Sequence, residues 1–134
     1  MLWRCRGRCE MNGNRYLLDT NAIVALLQGE MFLVQLLQNA DWVGISLISQ
    51  IEFLVFSGLS QSDRDLFQQF LQRVEVIGLV ASDSPLIESI IEIRQQYRLK
   101  LPDAMIAAIA LQHSASLITR DQGFTKVRSL TVIS

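Results

Sequence analysis

The chain has 134 residues, of which 50% are hydrophobic and 19% charged, which is enough for one domain with its own core and too little for two. A formal net charge of −1 argues against a broad basic face that binds nucleic acid by counterion release. The longest apolar run, residues 104–111, is well short of the roughly 20 residues that span a bilayer, so we expect a soluble protein without a membrane span.

The first fourteen residues differ in character from the rest. They contain two cysteines and three arginines and show no hydrophobic periodicity. The two cysteines and a distant single His113 do not make a four-ligand zinc site, and the apolar stretch is too short for a secretory signal. We predict that residues 1–14 are a disordered tail or an extension from an upstream start codon, with Met11 as the natural first residue. The rest then has no cysteine, which fits a reducing cytoplasm.

Residues 15–27 are the segment around which the chain is organised. A short apolar run ends in Asp19, and Thr20 and Asn21 then lead into an Ala- and Leu-rich helical pattern. This pattern predicts a buried strand that delivers Asp19 to the beginning of a helix. Burying an ionised carboxylate without a metal, a cation or hydrogen-bond donors is costly. Asp19 is therefore the first candidate for a functional site.

The rest of the chain alternates between strand and helix patterns. Gly58 is a candidate C-cap, and Ser84 before Pro85 is typical of an N-cap followed by the first helical residue. Such alternation predicts an α/β/α sandwich with a central parallel sheet of about five strands. In order, the further predicted elements are helix 31–38, strand 43–48, helix 49–58, helix 62–73, strand 74–80, a helix from 84 to near 100, a central helix 102–113, and strands 116–119 and 130–133.

Four carboxylates lie at the beginning or end of apolar elements. Asp19 and Asp121 each follow a strand, and Glu52 and Asp103 are expected in the first turns of helices. Ligands of open parallel sheets bind at the carboxyl ends of the strands, so all four can face one rim. Carboxylate oxygens without Cys or His favour Mg²⁺ or Mn²⁺ over zinc. Gathered together, they would repel one another and resist full ionisation until a divalent ion bound.

Each carboxylate also has a purely structural interpretation. Ser49 to Glu52 can form a capping box. Asp103 can simply act on the dipole of its helix, and Asp121 before a Gln-Gly pair can form an Asx turn. The two polar residues that follow Asp19 can be plain N-caps.

At these four sites the sequence resembles the PIN-domain ribonucleases, most closely the small single-domain toxins of the VapC type. The matching segments are LLDTNAIVALL, the segment around Glu52, LPDAMIAAIAL and LITRDQGF, in that order, and they span roughly residue 15 to the C-terminus. The resemblance implies that residues 15–134 form a PIN domain that cleaves RNA endonucleolytically with Mg²⁺ or Mn²⁺. It also implies the toxin of a type II toxin–antitoxin pair, which binds a cognate antitoxin and commonly forms a homodimer.

The resemblance also assigns roles within the site. Four acids are the catalytic and metal-binding set, three small polar residues orient carboxylates or water by hydrogen bonds, and one arginine can approach a substrate phosphate, although a loop arginine is more often just solvated. Four coincidences in the family's order are much less probable than any single one. The acids are Asp19, Glu52, Asp103 and Asp121, the small polar residues are Thr20, Asn21 and Thr119, and the arginine is Arg120.

Two other functions remain open. One is a catalytically silent PIN fold that acts as a binding module. The other is a phosphoacceptor receiver domain, which also has a parallel sheet with clustered aspartates. Receiver domains need an acidic pair near the first strand, where Asp19 and Thr20 supply only one acid.

The remaining aromatic and apolar residues have structural interpretations. His113, near the end of a helix, is expected to be structural. Helical spacing predicts that the four phenylalanines at 53, 56, 67 and 70 lie in the core, although some of them could instead form a groove for a partner. The early helices carry surplus apolar residues that a partner could cover, namely Met31, Phe32, Phe56 and Leu59.

Overall fold

The structure, a computed structural model, describes residues 14–134, so the predicted tail lies outside the described residues except for Asn14. Asn14 is buried, and its side-chain amide donates to the carbonyl of Asn39 at 2.8 Å. The elements in chain order are β1 Arg15–Leu18, α1 Thr20–Leu27, α2 Met31–Gln38, β2 Trp42–Ser46, α3 Leu47–Leu54, α4 Gln61–Leu71, β3 Glu75–Ile77, α5 Ser84–Tyr97, α6 Leu101–Gln112, β4 Ser116–Ile118, a 3₁₀ helix Gln122–Lys126 and β5 Val132–Ile133.

The five strands form one parallel sheet in the order β3-β2-β1-β4-β5. The chain runs outward from β1 through β2 and β3 and then crosses back to place β4 on the other side of β1, so strand order reverses between β1 and β4. The N–H of Asp19 donates to the carbonyl of Ile118 at 3.0 Å, which extends this pairing by one residue. The reversal point, where open sheets bind ligands, therefore lies beside Asp19.

Two hydrophobic cores flank the sheet, because successive strand residues point to opposite faces. Leu17 packs in the core that contains α5 and α6, whereas Tyr16 and Leu18 pack in the core that contains α1 to α4. α6 buries Ala104 and all residues from Ile106 to Ala110, as its all-round apolar pattern predicted. The predicted α/β/α sandwich with a parallel five-stranded sheet is confirmed.

α3 begins earlier than predicted, and the predicted capping box is wrong. β2 ends at Ser46, whose hydroxyl accepts from the N–H of Ile48 at 3.1 Å and caps α3. Ser49 therefore lies inside the helix, where it is fully buried. Glu52 falls in the second turn rather than the first, so its carboxylate has no N-terminal donor to satisfy and is available elsewhere.

Other element boundaries shift by a few residues. α3 ends at Leu54 rather than Gly58. The N-cap of α5 is Asp83 rather than Ser84, because the Asp83 carboxylate accepts from the N–H of Leu86 at 3.2 Å. β3, β4 and β5 are also shorter than predicted, because pairing is limited to Glu75–Ile77, Ser116–Ile118 and Val132–Ile133.

Three of the four phenylalanines predicted for the core pack there. Phe53 and Phe67 are buried with ring centroids 4.2 Å apart, and Phe70 packs beside them. The prediction for Phe56 is wrong, because α3 ends before it and leaves it 64% exposed.

His113 has a structural setting. It is the C-cap residue of α6, its ring stacks on Trp42 at a centroid distance of 5.1 Å, and its carbonyl accepts from Arg15 Nε at 2.8 Å. Arg15 and Trp42 begin β1 and β2, so this cluster lies at the amino ends of the strands, away from Asp19.

No single helix among residues 14–134 is long and apolar enough to cross a membrane. Taken together, α1 and α2 meet the same criteria of length and composition, but the two helices are bent by 100° relative to each other.

Candidate functional site

Asp19 is a buried carboxylate at the end of β1, only 7% exposed. Its Oδ1 accepts from the N–H of Thr20 at 2.7 Å, so Asp19 itself caps α1. Its Oδ2 accepts from the Thr119 hydroxyl at 3.0 Å. Burial raises the pKa of Asp19, the charges of Glu52 and Asp103 raise it further, and the two hydrogen bonds oppose this only in part.

Glu52 reaches the same rim from the second turn of α3. Its Oε1 accepts from the Thr20 hydroxyl at 2.6 Å. Thr20 therefore contacts two candidate acids at once, Asp19 through its backbone N–H and Glu52 through its hydroxyl.

Asp103 lies in the first turn of α6, as predicted, and is partly buried. Burial raises its pKa, the charges of Asp121 and Glu52 raise it further, and Lys100 opposes the shift. Sequence reasoning did not include Lys100, although its place directly before the Leu-Pro-Asp helix start was a signal. Charges from three other parts of the chain thus contribute to the raised pKa values of Asp19 and Asp103.

Thr119 is buried and contacts three other site residues. Its hydroxyl donates to Asp19, accepts from the N–H of Asp121 at 3.0 Å and lies 3.5 Å from the donor Asn21 Nδ2. Asp121 caps the 3₁₀ helix by accepting from the N–H of Gly123 at 2.9 Å. The predicted Asx turn is therefore present. A carboxylate has two oxygens with several acceptor positions, so the turn does not exclude a role in the site.

Arg120 stands on the rim between Thr119 and Asp121. Its backbone N–H donates to Asn21 Oδ1 at 3.0 Å, and its guanidinium forms an ion pair with Glu30. Sequence reasoning missed Glu30. Its place before a helix was visible in the sequence, but nothing there indicates a partner ninety residues later.

The spacing of the four acids limits how they can hold a divalent ion. Residues 14–134 contain no group of three or more His, Cys, Asp or Glu side chains arranged to hold one ion. Among these residues the four carboxylates are therefore not gathered closely enough for three or four of them to hold one ion together. Mg²⁺, however, keeps several waters and is usually bound through one or two carboxylates and substrate phosphates. The donor chemistry fits Mg²⁺ or Mn²⁺ held in that way.

A groove of about 360 Å³ opens beside the acids, between α1, α3 and the start of α4. Thr20 and Glu52 line it on one side, and its other walls are mainly apolar. Two residues predicted for partner contact, Phe56 and Leu59, line this groove, whereas Met31 is exposed on α2.

Comparison with known families and structures gives consistent results. Residues 16–130 match the family model of the PIN domain. A toxin–antitoxin complex from Klebsiella pneumoniae aligns with 30% identity and a TM-score of 0.71 over 89% of this chain and 96% of that chain. VapBC-1 from nontypeable Haemophilus influenzae aligns with 24% identity and a TM-score of 0.68 over 90% and 97%. VapBC2 from Rickettsia felis, bound to a promoter DNA fragment, aligns with 22% identity and a TM-score of 0.71 over 89% and 97%. The last two alignments show similarity of fold alone. No curated protein sequence matches the chain.

Proposed function

Because the chain belongs to the PIN domain family, we propose that it is a divalent-metal-dependent endoribonuclease and the toxin of a type II toxin–antitoxin pair. The observation that carries the proposal is the hydrogen-bonded network at the carboxyl ends of the strands, in which Thr20 joins Asp19 to Glu52 and Thr119 joins Asp19 to Asp121. PIN domains are generally nucleases, and a cluster of repelling carboxylates is the arrangement that a bound cation stabilises.

In this proposal the four acids are the catalytic and metal-binding residues. One or two of them would contact Mg²⁺ or Mn²⁺ directly, and the others would act through water. When bound, the ion supplies positive charge at the scissile phosphodiester and lowers the pKa of the attacking water. Asp19 is suited to direct contact, because its position is set by hydrogen bonds to both of its oxygens.

The small polar residues orient the acids. Thr20 holds the Glu52 carboxylate, and Thr119 holds Asp19 while it fixes the backbone of Asp121. Asn21 fixes the rim through the N–H of Arg120. These contacts keep flexible carboxylates in one arrangement before RNA binds, which is the usual role of groups that hydrogen-bond to ligating residues.

The proposed partners are RNA as substrate, a cognate antitoxin and a second copy of the chain, in the cytoplasm. The structural relatives include toxin–antitoxin complexes, which supports the antitoxin. The apolar groove that ends at Glu52 offers such a partner a surface beside the acids. The homodimer, the RNA and the location rest on family membership alone.

The test is cleavage of single-stranded RNA by the purified protein with Mg²⁺ or Mn²⁺ and with EDTA. We expect cleavage only with metal, and its loss in Asp19→Asn, which keeps an acceptor for Thr20. Glu92→Gln on the exposed side of α5 is the matched control and should cleave normally. A folded wild-type protein that cleaves no RNA with either ion would instead favour the silent PIN-fold binding module.

A further inference from the structure

Arg120 has a fixed backbone and a movable side chain. Its N–H is held by Asn21 Oδ1 at 3.0 Å, between the site residues Thr119 and Asp121. Its side chain is 57% exposed. The guanidinium can therefore change direction while its Cα stays on the rim of the acidic site.

The anion that holds this guanidinium is Glu30. Glu30 is the N-cap residue of α2, yet its carboxylate makes no capping hydrogen bond and instead contacts Arg120. Gly29, with φ of +86°, makes the turn that directs Glu30 here, and the N–H of Glu30 donates to the carbonyl of Ala25 at 3.1 Å. The α1–α2 turn thus presents a carboxylate to the only arginine of the rim segment 119–121.

Building on the proposed ribonuclease function, we propose that Arg120 forms a subsite for a backbone phosphate of RNA and that the Glu30 carboxylate occupies this subsite until the phosphate displaces it. Arginine binds both carboxylate and phosphate oxygens, so the Glu30 Oε1 that contacts Arg120 Nη2 stands in the place of a phosphate oxygen. Both side chains are partly exposed, and such pairs are weak enough to exchange.

The charge of the site explains why this exchange matters. The rim carries four acids that repel RNA, and the cation that acts on Asp103 is Lys100. The Arg120 guanidinium is paired with Glu30. Transfer of this guanidinium to a phosphate would add a positive contact directly beside Asp121. Glu30 therefore weakens RNA binding by competing for Arg120.

The test is a double-mutant cycle on RNA affinity. Glu30→Gln, Arg120→Gln and the double variant are made in an Asp103→Asn background, so that RNA stays intact, and anisotropy of a fluorescein-labelled single-stranded RNA is measured. We expect Glu30→Gln to tighten Kd by up to about fivefold and Arg120→Gln to weaken it. Glu30→Gln should have no effect once Arg120 is absent, and its gain should shrink at high salt.

Glu92→Gln removes the same charge from α5 and is therefore the control for a general effect of charge on RNA binding. Equal tightening in Glu30→Gln and Glu92→Gln, equal tightening with and without Arg120, or weaker binding in Glu30→Gln would each overturn the exchange. Absence of RNA binding in every variant would overturn it as well. The cycle runs in EDTA and needs no cleavage, so failure of the nuclease proposal in the metal-dependent cleavage assay is a separate result.

Discussion

The Thr20 hydroxyl donates a 2.6 Å hydrogen bond to Glu52 Oε1, so the residue that follows the buried Asp19 also holds a carboxylate that is exposed on α3. Replacing Thr20 by valine keeps the β-branched shape and the backbone N–H bond to Asp19 but removes this donor. We expect kcat for RNA cleavage to fall by about tenfold with an unchanged melting temperature. Thr20→Ser, which keeps the hydroxyl, should retain activity, and equal loss in both variants would contradict this role.

The substitution Glu52→Gln distinguishes a catalytic role of Glu52 from a structural one. Glutamine keeps an acceptor for Thr20 but removes the negative charge, and α3 is capped independently by Ser46. We expect metal-dependent cleavage to fall on the order of 100-fold or more, with little change in unfolding midpoint. Glu92→Gln is the matched control. Retained cleavage in Glu52→Gln would remove Glu52 from the active site.

The metal-free protein should become more stable as the pH is lowered from neutral. The pKa values of Asp19 and Asp103 are raised above the usual 3.8, so the folded state binds these protons more tightly than the unfolded chain. Stability therefore rises as pH falls through the raised folded pKa values toward 3.8, and is lost as pH rises through the same window. Urea unfolding in EDTA measures this.

Asp103→Asn tests the cause of that pH dependence. Without this charge, the slope of stability against pH should be flatter, whereas Glu92→Gln should leave it unchanged. Loss of a first-turn acid also removes a favourable helix-dipole interaction, which lowers stability at pH values where Asp103 is ionised. Mg²⁺ should stabilise the wild type at neutral pH more than Asp103→Asn. A slope equal to that of the wild type would show that the raised pKa of Asp103, through burial and the nearby carboxylates, does not contribute to it.

Ser49 provides a prediction that is independent of function. Its hydroxyl is fully buried and has no hydrogen-bond partner among the described residues. Ser49→Ala removes this unsatisfied group and improves helix propensity, so we expect stabilisation of about 1 kcal/mol in urea unfolding. Ser62→Ala, at an exposed position of α4, reports the propensity contribution alone. A gain no larger than that of Ser62→Ala would show that the Ser49 hydroxyl carries no penalty.

Local sequence patterns were sufficient to predict the helices and strands but not the residues at which they begin and end. The periods of strands and helices are properties of neighbouring residues, so the five strands and six α-helices found in residues 14–134 were all predicted. The residue at which a helix begins depends on which of several nearby polar side chains accepts a hydrogen bond from the N–H groups of the first turn. Ser46 rather than Ser49 caps α3, and Asp83 rather than Ser84 caps α5, because the side chains of Ser46 and Asp83 accept from the N–H groups of the first turns.

The sequence by itself determined the parallel sheet and placed Asp19 and Asp121 at its carboxyl rim, because parallel strands deliver the residues that follow them to one edge. For Glu52 and Asp103 it predicted only that they can face the same rim. Only the tertiary structure decided which groups meet there. The contacts of Thr20 with Glu52, Thr119 with Asp19 and Arg120 with Glu30 join residues 32, 100 and 90 positions apart. Such partners are set by the packing of helices across the sheet, and no local pattern encodes it.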